Sequence, residues 1–283
     1  MATLRGHAIS TLFGQADHTY VTCAGGYAWG CWGRSTGGKI ICTGSGSSAQ
    51  ANCISLPSST AGLIYGVTGV CHQTANRILW PAGITVRKAK GYWASVLAYG
   101  TYGSDVPAWL IRIGVCSTST GEIPKCSAKG RTALSISARE APPDAKDRAL
   151  LRDIKALYLR GVSTQEHKRR ILMKGPADLK TLGSETKLVL QHRLGKAIKA
   201  ADIKDIQTIQ MELFSKQAQI AMHLHEGGLN GESLAQKING AVNKMLKDCY
   251  KSLGKENYTK LLELEPGEMI NIVDPEIAVK VYK

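Results

Sequence analysis

No run of eighteen apolar residues occurs in this 283-residue chain, which excludes a single-helix membrane anchor of ordinary length. The N-terminus, MATLRGHAIST, lacks an apolar core followed by a small-residue cleavage site. It therefore does not read as a signal peptide, and the expected compartment is the cytoplasm. Acidic residues are scarce, with 22 Asp+Glu against 36 Lys+Arg and a formal charge of +14. The excess is diffuse: residues 1–140 hold twelve Lys+Arg against four Asp+Glu, and there is no long basic block. Such a charge suits an anionic partner in general, but without a nucleic-acid-binding motif no specific nucleic-acid partner is expected. A P-loop is missing, as is a dinucleotide-binding glycine motif between a strand and a helix, so no nucleotide cofactor is expected.

Metal-ligand spacing is missing too. Cys23, Cys31, Cys42 and Cys53 are widely separated and contain no C-x-x-C pair. His223 and His225 in MHLHEGG lie two apart and cannot share a helix face. The metal and cofactor expectation is therefore none. In the expected compartment most of the eight cysteines read as reduced, buried, small apolar residues. Cys116 and Cys126 flank a turn-like STSTGEIPK and are the one pair placed to meet across a hairpin.

What is present divides in two. Residues 1–137 carry short alternating runs, HAISTLF, HTYVTC, KIICTG, ITVRKA and WLIRIGV, separated by glycine clusters, which predict β-strands. Helices are predicted from Cys71 to about Trp80 and near 91–99. AREAPPDAKD, 138–147, reads as a linker, with Pro142 and Pro143 barring a continuous element. From 148 to 283 the periodicity turns helical. One helix follows DAKDRALL and stops at Gly161, and one is opened by the capping-box pair Ser163 and Glu166. Further helices are predicted over 184–200, 202–225 and 231–253, and a short strand-like run ends the chain. The fold class is α+β: an N-terminal antiparallel sheet with a cysteine-bearing helix, then a mostly helical domain.

The stretch GVTGVCHQTANRILWPAG, residues 66–83, carries the chemistry. A helix N-terminus offers unpaired N–H groups and a partial positive charge. A thiol placed there ionises more easily, and the same N–H groups can hold an oxyanion. Cys71 is the candidate nucleophile. Ala75, Ile78 and Leu79 fall on one side of the helix and can bury, while His72, Gln73, Asn76 and Arg77 lie off it. A thiol nucleophile needs a base. His72 points about 100° away on a helix, so substrate contact or helix capping suits it better. His18 begins the strand HTYVTC and is the first choice as base, with His7 in reserve.

A histidine at the start of a strand, further strands, then a cysteine opening a helix, resembles the circularly permuted papain-like cysteine hydrolases. That group includes permuted cell-wall amidase-like proteins and the lecithin–retinol acyltransferase type. DHTYVTC is similar to their histidine strand and GVCHQTANRIL to their cysteine helix, within about residues 5–125. The resemblance implies acyl transfer through an acyl-enzyme on Cys71, with His18 carrying protons, on a peptide, amide or acyl substrate, and with Tyr65 and Gln73 as candidate oxyanion donors or substrate contacts beside the Cys71 N–H. It also implies a third polar residue that orients the histidine. Asp17, Gln50 and Asn52 are the neighbours considered for it, and none is assigned. Trp29, Trp32, Trp80 and Trp93 line either a groove or the core. The alternative function is a non-catalytic scaffold whose helical half binds a protein partner or a second copy.

Overall fold

The computed structural model describes residues 3–11, 15–23, 26–30, 32–55, 60–113, 144–161 and 179–283. An antiparallel sheet of four strands forms the N-terminal edge of the molecule: β1 (Thr3–Ser10), β2 (Asp17–Cys23), β3 (Ala28–Trp29) and β4 (Lys39–Ser45), in the order β3-β2-β1-β4. Tyr20 lies opposite His7 and His18 opposite Ile9 across the β1–β2 pair. β3 pairs only with Val21 and Thr22, so the outer edge of β2 is bare of a strand partner at its start.

Four short helices follow: α1 (Ser48–Ser55), α2 (Cys71–Ile78), α3 (Tyr92–Tyr99) and α4 (Val106–Arg112), with a single 3-10 turn at Trp80–Ala82. Two of the predicted strands are corrected. ITVRKA is irregular, because the Val86 N–H is taken by Asn76 Oδ1 at 3.0 Å and the chain turns back from Ala89 N to Val86 O. Most of WLIRIGV is α4, entered through Pro107 in the first turn. A short apolar run buried on all sides has no period that separates strand from helix.

The helical half contains α5 (Ala145–Gly161), α6 (Leu179–Leu194), α7 (Ala200–His225), α8 (Gly231–Leu262) and α9 (Pro275–Val281). α5 starts inside the predicted linker because Asp144 Oδ1 accepts the Lys146 N–H at 3.0 Å. Asn230 caps α8 in the same way, accepting from Ser233 N at 2.9 Å. α8 bends where Gly254 takes a φ of 71°. The predicted strand-like end is a helix instead. Asp274 accepts the Glu276 N–H at 2.8 Å and Pro275 opens the first turn, a start signal that outweighs the β-branched run around it. The Ser163–Glu166 capping box, Pro142 and Pro143, Cys31 and the Cys116–Cys126 pair lie outside the described residues. Cys23, Cys42, Cys71 and Cys249 are in no disulfide. Cys53 is disulfide-bonded, which departs from the expectation of a reduced thiol there.

One continuous apolar core runs from Leu4 through Trp109 to Leu262 and Ala278, across the predicted boundary. Polar ties fasten the helical half to it. Glu185 Oε1 accepts the Thr101 N–H at 2.7 Å, Gln210 Nε2 donates to Leu97 O at 2.8 Å, and Lys155 donates to Trp80 O at 2.7 Å. Among the described residues no helix is long and apolar enough to cross a membrane.

Candidate active site

The bare edge of β2 is where α2 docks. Asp17 N donates to Lys90 O at 3.1 Å, and Asp17 O receives His72 Nε2 at 2.9 Å. The same carbonyl lies 3.8 Å from Cys71 Sγ. The Thr19 N–H also turns outward and bonds the sulfur. The first residue of α2 thus takes the place that a neighbouring strand would occupy, and Cys71 is fixed beside the start of β2. Only 5% of Cys71 and 6% of His18 is exposed.

His18 reaches the sulfur from β2. Its Nε2 lies 2.9 Å from Arg34 O. A carbonyl oxygen only accepts, so the neutral ring carries its proton on Nε2 and leaves Nδ1 as a lone pair. Nδ1 is buried and has no hydrogen bond of ordinary geometry among the described residues. It is the nitrogen left for Cys71, and the two side chains shift each other's protonation.

Burial by itself would push the Cys71 thiol up. The proximity and charge of His18, then the neighbouring Thr19, outweigh it and hold the thiol below its ordinary value. Burial disfavours a charged His18 as well, yet pairing with Cys71, the Arg34 carbonyl and the charge of Asp274 raise it above the usual histidine value. Both shifts favour a thiolate–imidazolium pair.

The turn that supplies Arg34 O also packs on the ring. A Cβ at Gly33 would lie 2.5 Å from His18 Cε1 and 2.8 Å from Nε2, so only a glycine backbone fits there. Arg34 O is thus the orienting group that sequence reasoning missed. Two of the side chains considered for it have other work: Asp17 Oδ2 accepts the Lys90 N–H at 2.8 Å, and Asn52 Oδ1 accepts from Trp29 Nε1 at 2.9 Å. A backbone carbonyl has no signature in a sequence.

The remaining candidates separate clearly. His7 Nε2 bonds Thr22 Oγ1 at 2.8 Å and its ring stacks on Tyr20, so it is engaged on the sheet rather than with the thiol. His72 is buried, donating to Asp17 O and bonding Ser95 Oγ through Nδ1 at 2.9 Å, so it ties α2 to β2 and α3 and is not placed to touch substrate. Burial lowers its pKa to about 4. Gln73 is fully buried. Its Oε1 accepts the Val70 N–H at 3.1 Å, and its amide donates to Ser95 Oγ and Gly100 O, both at 3.1 Å. It holds the helix entry and has no donor to spare for an oxyanion. Tyr65 is different. Its hydroxyl oxygen accepts the Asp274 N–H at 2.8 Å, while its own proton has no acceptor among the described residues. Burial, then the nearby Cys71 charge, keeps it protonated. Trp29, Trp80 and Trp93 are core, and Trp32 alone borders the site, its ring 5.0 Å from that of Tyr65.

Tyr65 also anchors the end of the chain. Tyr282 Oη donates to Tyr65 O at 2.6 Å. Asn239 on α8 brackets the backbone of Val273, donating to its carbonyl at 2.8 Å and accepting its N–H at 3.0 Å. Asn243 does the same for Ile270, at 2.9 Å on both sides. The segment 270–282 is thereby laid beside the Cys71–His18 pair, and Asp274 stands close enough for His18 to feel its charge. No set of three or more His, Cys, Asp or Glu among the described residues is arranged to hold a metal ion. No protein-family model, curated protein or solved structure matches this chain.

Proposed function

We propose that this chain is a cysteine-dependent amide or peptide hydrolase or acyltransferase of permuted papain-like type. The observation that carries the reading is the Nε2–Arg34 carbonyl bond. It fixes the tautomer in which His18 offers Nδ1 as a base on the side of a thiol at a helix N-terminus. In the first step the Sγ electron pair forms a bond to the substrate carbonyl carbon, and the thiol proton resides on His18 Nδ1. The carbonyl electrons move to oxygen, where the first-turn N–H groups of α2 and the Tyr65 hydroxyl are the available donors. The tetrahedral intermediate then expels the amine, which takes the proton from Nδ1, leaving a thioester on Cys71. Water or an amine attacks the thioester, gives its proton to Nδ1, and restores the thiol.

The test is mass-spectrometric mapping of sub-stoichiometric iodoacetamide labelling from pH 5 to 9, with wild type and His18→Ala. The midpoint of each cysteine's profile is the quantity to read, since restricted access scales the rate without moving the midpoint. Cys71 is expected to titrate below an ordinary thiol, and Cys249, which burial pushes up to about 12, to stay silent. In His18→Ala only Thr19 is left to offset the burial cost on Cys71, and its midpoint is expected to rise toward or above that of an ordinary thiol. A Cys71 midpoint at the ordinary value, indifferent to His18→Ala, would sink the proposal.

A further inference from the structure

A cavity of about 240 Å³ lies beside the site, bounded on one side by Gln15, His18 and Gly33 and on the other by Asn271 and Asp274. His18 is part of its wall and Cys71 is not. A group lodged there meets the imidazole rather than the sulfur. In acyl transfer the carbon must meet the sulfur, whereas the atom that trades a proton with the imidazole is the leaving or attacking nitrogen. The cavity is therefore on the amine side of the bond being broken or made.

Two of the polar groups in its wall are acceptors. Gln15 Oε1 is buried with no hydrogen-bond partner among the described residues. The Asp274 carboxylate is half-buried and held in place, with Oδ1 on the Glu276 N–H and its own N–H on Tyr65. A buried acceptor without a donor is costly, and a ligand that brings N–H groups removes that cost. Arg34, Glu276 and Lys280 stand at the rim, exposed, and their net positive charge is balanced only by the Asp274 carboxylate further in. The volume falls below the roughly 300–1,000 Å³ of pockets for drug-sized ligands, so it takes one residue-sized amine and not a long acyl chain.

We infer that this cavity, completed by the segment before α9, is the subsite for the amine half of the substrate, with Asp274 and Gln15 as its specificity-determining residues. The inference rests on the Cys71–His18 reading. An amide N–H meets these acceptors before cleavage. After the C–N bond breaks and the nitrogen has taken the proton from Nδ1, the freed amine takes a further proton from solvent and pairs as an ammonium with Asp274.

The experiment follows the His18 ring signals by NMR in the full chain with labelled histidine, assigned by their loss in His18→Gln. Glycinamide hydrochloride is titrated at fixed ionic strength against sodium acetate. Glycinamide is expected to shift the His18 signals saturably, and acetate not to. Asp274→Asn keeps an equally good helix cap but removes the charge. It is expected to weaken glycinamide about tenfold or more, the loss of one charged hydrogen bond, while Glu256→Gln, exposed on α8 and outside the cavity lining, leaves binding unchanged. Saturable binding of acetate, no saturable shift with glycinamide, or an Asp274→Asn variant that binds like wild type would each overturn the inference. Glycinamide binding together with an ordinary Cys71 labelling profile would instead overturn the thiol reading on which it rests.

Discussion

A methyl group on residue 33 would press into the His18 ring from 2.5 Å. Gly33 thus positions the His18 ring, and its carbonyl neighbour Arg34 fixes the tautomer. Gly33→Ala is expected to push the ring off the Arg34 carbonyl and move the Cys71 labelling midpoint toward that of His18→Ala. The alkylation rate at pH 7 should fall about a hundredfold, the order of loss for a reacting group misplaced by an ångström. Gly240→Ala on α8, where a Cβ meets nothing within 4 Å, is the control and should leave both unchanged. Cys71 and His18 are legible in the sequence because glycines lead into the one and an alternating strand follows the other. Arg34 is not, since what matters is its carbonyl. Asp274 is not, since only the tertiary fold brings it to the cavity.

At the scale of the element, α2 is the main departure from pattern. An amphipathic reading puts His72, Gln73, Asn76 and Arg77 on an outer face, yet every residue of α2 is buried. The polar side chains replace secondary structure that the chain around them lacks. Asn76 donates to Thr101 O at 2.7 Å and accepts from Val86 N, and Arg77 donates to Tyr102 O at 2.6 Å and Ala61 O at 2.8 Å while pairing with Asp105. Periodicity measures polarity and not exposure, so a helix that is wet on one side and a helix that binds irregular backbone look alike. His72 gives this network a pH dependence. Its pKa is about 4 in the folded chain against 6.5 for an ordinary histidine, so the unfolded chain takes up the proton first. The stability that depends on a neutral His72 is full above about pH 6.5 and is lost as pH falls toward 4, by about 3 kcal/mol. Urea unfolding at pH 7 and pH 4.5 should show this loss in wild type and much less of it in His72→Gln, whose amide can still donate to Asp17 O.

For the whole molecule, the change of composition near residue 140 marks a real change from strands and short helices to long helices, and the α+β class follows from it. It does not mark two separate cores, because surface composition in a linker carries no record of what packs across it. Trp80 meets Lys155, Thr101 meets Glu185, and Tyr65 meets both Asp274 and Tyr282. A chain truncated after Pro143 leaves those partners facing water. It is expected to show no cooperative unfolding transition and no lowered Cys71 labelling midpoint, whereas the full chain shows both.

The hold of Tyr65 on the far end of the chain also sets the order of events during synthesis. Its partners are 209 and 217 residues downstream. Contacts so distant along the chain close late, after local helices and the β1–β2 hairpin have formed. While the ribosome is still translating, the nascent polypeptide therefore has its cysteine and histidine but not the wall beside them. The pocket is finished only after Asp274 and Tyr282 have been made, so the growing chain spends the synthesis of the intervening helices without that wall.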